Sequence, residues 1–167
     1  MNEIIEEAEF GESVEGENLD IAEKIKKTGK ELAISPEQAE IEFESWAEQF
    51  RIDTDTEKMD AEEKQDFKQI KNRFIYCLTR GITAIEENGD LKLHLIDPVD
   101  GKDTMIFRKK FKGAAFVAMD RYKDSQNVHK TLAFLGAWVN WNPKLLTQLD
   151  AMDTWFGMKM VSLFLGG

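Results

Sequence analysis

Residues 82–108 read ITAIEENGDLKLHLIDPVDGKDTMIFR. This stretch decides the fold class, because its apolar residues alternate, whereas the segments on either side repeat at helical spacing. Residues 82–86 and 91–96 are β-prone runs flanking Glu87-Asn88-Gly89-Asp90. Asn-Gly between two such runs is a strong hairpin signal, and the expected turn is type I′, with positive φ at both residues. Asp97-Pro98-Val99-Asp100-Gly101 supplies another turn and residues 104–108 a third strand, giving a three-stranded antiparallel meander.

Upstream the spacing is helical. In Ser35-Pro36-Glu37-Gln38 a capping hydroxyl precedes proline at the first helical position, and glutamine follows three after the serine as in a capping box. Ala39, Phe43, Trp46, Ala47 and Phe50 then form one apolar stripe. A loop over 51–59 leads to Asp60 and Glu63, which cap a second long helix. That helix should bury Phe67, Ile70, Phe74 and Cys77 or Leu78, and stop at Arg80-Gly81. Earlier still, Leu19, Ala22 and Ile25 suit a helix from Asn18 that Gly29 ends. Residues 1–16 hold six Glu and little periodicity, so a flexible acidic tail is expected.

Downstream, helices are expected over 113–122 and 126–139, then a short one at Asn142-Pro143. A last helix from 150 to 165 has Gly166-Gly167 as its stop. The fold class is therefore α+β and mostly helical. The meander lies between an N-terminal helical segment (17–80) and a C-terminal helical bundle, with 17–80 and 81–167 expected to share one compact domain.

Charge is distributed unevenly along the 167 residues: residues 1–67 carry a net −15 and residues 68–167 a net +5. So acidic a molecule is a poor partner for nucleic acid, whose phosphates would repel it. Its longest apolar stretch, 131–141, is interrupted and too short to span a bilayer, so no membrane association is expected. The first ten residues are acidic and do not read as a signal peptide. The single cysteine, Cys77, precludes an internal disulfide and suits a reducing compartment.

Candidate chemistry is sparse. Asp53-Thr54-Asp55-Thr56-Glu57 begins like a calcium loop, but the sixth and twelfth positions are Lys58 and Lys64 where Gly and Glu are required. His94 and His129 have no partner at metal-ligand spacing. Cys77 lacks a catalytic signature, and no G-x-S-x-G, Walker A or G-x-G-x-x-G pattern occurs. The expectation is a non-enzyme, with no catalytic, cofactor-binding or metal-binding residue and no cofactor.

Two features point instead to protein partners. Arg108, Lys109 and Lys110, followed by Phe111-Lys112, form a basic cluster with an aromatic inside it; in so acidic a chain it suits a protein surface better than nucleic acid. The last helix is apolar around most of its circumference, more than the rim of a small domain can bury. Phe156, Met160 and Leu163 are assigned to the core, while Trp155, Met158, Phe164 and Leu165 are assigned to a partner or to self-association as a homo-oligomer.

From about residue 82 onward the chain resembles the tail assembly chaperones of long-tailed phages. The resemblance lies in the meander, the short helix over 113–120 ending in Asp120, and a middle helix. It closes with Leu145-Leu146-Thr147-Gln148-Leu149-Asp150-Ala151-Met152-Asp153, followed by an apolar helix ending Leu163-Phe164-Leu165. It implies a non-enzymatic role in the cytoplasm of a bacterial host, coating the tape-measure protein before tail-tube subunits polymerise around it. The alternatives are a structural component of the phage particle, located in the virion, and an acidic inhibitor or DNA mimic.

Overall fold

The helix starts marked in the sequence are made by the side chains it names. In the computed structural model, which describes residues 33–165, α1 spans Pro36–Gln49, and Ser35 Oγ accepts from the Gln38 amide at 3.1 Å. α2 spans Ala61–Thr79 behind a reciprocal capping box. Asp60 Oδ1 accepts from the Glu62 and Glu63 amides at 2.8 and 2.9 Å, and Glu63 Oε2 accepts from the Asp60 amide at 3.0 Å. Gly81, at φ +66°, turns the chain out of α2. The helix expected over 18–29 and the tail 1–16 lie outside the described residues.

Three strands follow: β1 Thr83–Ile85, β2 Leu91–Val99 and β3 Lys102–Phe107, antiparallel in the order β1-β2-β3. Thr83 pairs with Leu93, and Leu93 with Met105. Alternation places Leu91, Leu93, Met105 and Phe107 on the buried face. The fold class is thus α+β and mostly helical, with the meander between helices.

The two hairpin turns exchange roles relative to expectation. Only Gly89 has positive φ in the first loop (+87°), so Asn88-Gly89 is not a type I′ turn. The Gly89 amide donates to Glu86 O and the Glu86 amide to Asp90 O, both at 2.8 Å, which makes a three-residue loop closed by a left-handed glycine. The reason is local: Asn88 Oδ1 accepts from the Asp90 amide at 2.8 Å, an Asx turn that holds Asn88 out of the left-handed region. The two-residue turn with positive φ at both positions is Asp100-Gly101 (+51° and +71°), between the paired Val99 and Lys102. Between His94 and Val99 the ladder slips, in the stretch that contains Pro98.

Beyond the sheet, the helix expected over 113–122 is a single turn, α3 (Ala114–Val117), continued by turns to Tyr122. Gly113 offers no side-chain cap and no long apolar stripe follows, so nothing extends it. α4 (Asn127–Val139) ends at Asn140 in the left-handed conformation. Asn142 caps α5 (Pro143–Leu146), its Oδ1 accepting from the Lys144 amide at 3.0 Å. Asp150 Oδ1 accepts from the Met152 amide at 2.7 Å and opens α6 (Ala151–Leu165).

One aromatic cluster joins these elements. Phe43 and Trp46 of α1 pack on Phe74 of α2 at 5.1 and 5.0 Å between ring centroids. Phe74 reaches Phe156 of α6 at 6.4 Å, and Phe107 of β3 lies 5.1 Å from Trp138 of α4. Both Cys77 and Leu78 are buried, which resolves that alternative in favour of both.

Candidate protein-binding surface

The terminal helix lies deeper than its sequence suggests. Phe156 and Met160 are buried as expected, and Val161 and Gly157 join them. Without a side chain, Gly157 lets α4 approach closely: a Cβ there would sit 2.7 Å from Leu135 Cδ2. α6 therefore packs on α4 and on α2 rather than at the rim.

Of the side chains assigned to a partner, Phe164 must be reassigned. Its ring lies 4.9 Å from Trp138, 5.5 Å from both Phe50 and Phe111, and 6.4 Å from Phe134, inside the aromatic cluster. Trp155 is half-buried against that core, as is Leu163, which the sequence assigns to the core outright, and Met158 is half-buried. Leu165 is exposed, and at the other end of α6 so is Met152. Phe164 turns inward because α6 is not peripheral; a helix flanked by two others can bury most of its circumference.

The basic cluster divides. The Arg108 carbonyl accepts from Trp138 Nε1 at 2.8 Å, which fixes the backbone while the side chain stays exposed. The Lys109 amide donates to Asp90 Oδ1 at 2.8 Å, and its half-buried side chain lies over Gly89. Lys110 and Lys112 are exposed, and Phe111 between them turns inward onto Trp138 at 5.2 Å. Among the described residues none of these cations is ion-paired.

Directly after this strip come Phe116, 48% exposed although its edge rests on Phe134, and Val117, 65% exposed. Sequence reasoning passed over both by treating 113–122 as one helix. The available signal was an uncapped apolar turn immediately after a run of lysines.

A second feature is a cleft of about 290 Å³ between α2, β2 and α6, lined by Arg73, Cys77, Leu93, Ile96, Met152 and Asp153. Asp153, 4% exposed, accepts from the Ile96 amide at 2.8 Å. That amide faces the side of β2 where β1 has ended, so the carboxylate closes a bare strand edge. Burial pushes the Asp153 carboxyl above its usual range despite the Ile96 hydrogen bond, and Asp150 and Asp97 add repulsion. Arg73 Nε is buried without an acceptor. Burial also pushes the Cys77 thiol up, which keeps it protonated and unreactive at neutral pH.

At the calcium-like loop, Lys58 Nζ lies 3.0 Å from Asp55 and 3.8 Å from Asp53, so a side-chain ammonium takes the place of a cation. No group of three or more metal-ligating side chains occurs among the described residues, and no helix there is long and apolar enough to cross a membrane. The chain matches no family model, no curated protein and no solved structure.

Proposed function

We propose that the chain is a non-enzymatic assembly chaperone of the tailed-phage type, working in the bacterial cytoplasm by holding the tape-measure protein or tail-tube subunits. The observation that carries this reading is the exposed Phe116-Val117 turn beside Lys110 and Lys112, which are unpaired among the described residues. Exposed apolar side chains rimmed by charge are what a protein-docking site requires. A long amphipathic helix of the client would lay its apolar face on this turn, the helix-in-groove mode of recognition. Leu165 and the half-buried Trp155 and Met158 offer further contact area on α6.

The test is co-expression with the tape-measure protein encoded by the same genome, followed by affinity purification. A soluble complex is expected, lost on Phe116→Asp together with Val117→Asp while the fold is retained. Purified particles should lack the chain; its stoichiometric presence there would assign it to the particle instead.

A further inference from the structure

The strip that carries the proposed client site has a complement on the same molecule. The outward face of α1 presents Glu37, Ile41, Ser45 and Glu48 at i, i+4, i+8 and i+11, one stripe of the helix. Ile41 is 61% exposed at its centre, an apolar residue in an acidic face. Among the described residues neither Glu37 nor Glu48 is ion-paired, whereas Glu40 and Glu44 on the neighbouring face share Lys71 at 2.9 and 2.6 Å. The basic strip has the reverse character: residues 108–123 carry six Lys or Arg against one Asp, with Phe116 and Val117 as the apolar centre.

The two faces approach each other at the C-terminal end of α1. Phe50, immediately after α1, lies 6.3 Å from Phe111 between ring centroids, and the Gln49 and Lys109 side chains converge on Gly89. Opposite charges on two faces of one molecule, left unpaired among the described residues, can pair across a two-fold axis. One copy's α1 then covers the other's strip and receives the same in return.

We propose that the free protein forms an isologous dimer in which Ile41 of each copy packs on Phe116 and Val117 of the other. Glu37 and Glu48 face Lys110, Lys112 and Arg121 across the contact. The apolar contact supplies affinity and the charges fix register, since exposed ion pairs alone contribute little. The proposal rests on the strip being a docking surface, but not on who the client is. The dimer would cover the client site and be displaced by the client.

Sedimentation velocity of the full chain tests this, over roughly a hundredfold concentration range through the micromolar region. A reversible monomer–dimer equilibrium is expected, weakened about tenfold or more at high salt, because the pairing charges are exposed to screening. The double variant Lys110→Glu/Lys112→Glu should be monomeric, as should Glu37→Lys/Glu48→Lys. An equimolar mixture of the two should dimerise again, since both contacts of that pair are complementary.

Circular dichroism checks that each variant is folded; the salt dependence of the unmodified chain stands if one is not. A wild-type monomer throughout, a salt-insensitive dimer, or folded variants that fail to recover on mixing would each overturn the proposal. So would duplex DNA binding by the wild type that is lost in Lys110→Glu/Lys112→Glu, which would give the strip to nucleic acid. Client capture by a strictly monomeric chain would overturn the dimer while leaving the chaperone reading intact.

Discussion

Gly89 holds φ +87°, and a Cβ there would meet Lys109 Cδ at 2.5 Å and Gln49 Oε1 at 2.9 Å. Both atoms are the ends of flexible side chains and can move, so the cost of substitution is mainly backbone strain, about 1–3 kcal/mol. Gly89→Val is therefore expected to lower the melting temperature by several degrees, and Gly89→Asn by less, because asparagine tolerates the left-handed region. Equal losses in both variants would make crowding by Gln49 and Lys109 the cause.

Asp153 gives a second residue-scale prediction. Its folded pKa lies above the unfolded value, so the folded state holds the proton more tightly. Its contribution to stability is full below the unfolded pKa, about 3.9, and is lost as pH rises through the folded value. Asp153→Asn keeps an acceptor for the Ile96 amide without the buried charge. The variant should match or exceed the wild type in stability at pH 7, with the difference shrinking as pH falls toward 4. A large loss at pH 7, measured by urea unfolding, would mean that the charged hydrogen bond outweighs its desolvation.

At the scale of elements, α6 shows what a periodic pattern can and cannot say. Its apolar residues mark a helix in contact on several sides, but sequence carries no count of neighbours. Gly157 settles the matter by letting α4 come close, while Phe156 reaches Phe74 of α2. Phe156→Asp should abolish cooperative unfolding, because it places an unpaired charge among aromatic rings. Trp155→Asp, at a half-buried site, should leave the protein folded with a lower melting temperature. Circular dichroism melts of the two variants decide the point: equally severe loss would place the whole circumference of α6 in the core.

At the scale of the molecule, the aromatic cluster ties distant parts of the chain together. Phe50 lies 4.7 Å from Trp46 and 6.1 Å from Trp138, and both tryptophans are fully buried. Unfolding followed by tryptophan fluorescence and by far-ultraviolet circular dichroism should give superimposable transitions. Fluorescence changing first would mean that the aromatic cluster loosens before the helices melt.

Helix starts, the meander and most core positions were legible in the sequence, because capping hydroxyls, carboxylates and apolar periodicity act between residues a few positions apart. Ser35, Asp60 and Asn142 each do locally what their spacing indicates. The type of the first turn was not legible, since the Asn88 side chain chose between competing local hydrogen bonds. The exposure of Phe116, the inward turn of Phe164 and the burial of Asp153 depend on which elements pack together. Such contacts join residues far apart in the chain, 57 positions for Asp153 and Ile96. Their energies come from burial and packing, to which no local pattern gives access, so only the tertiary structure decided which apolar side chains stay exposed.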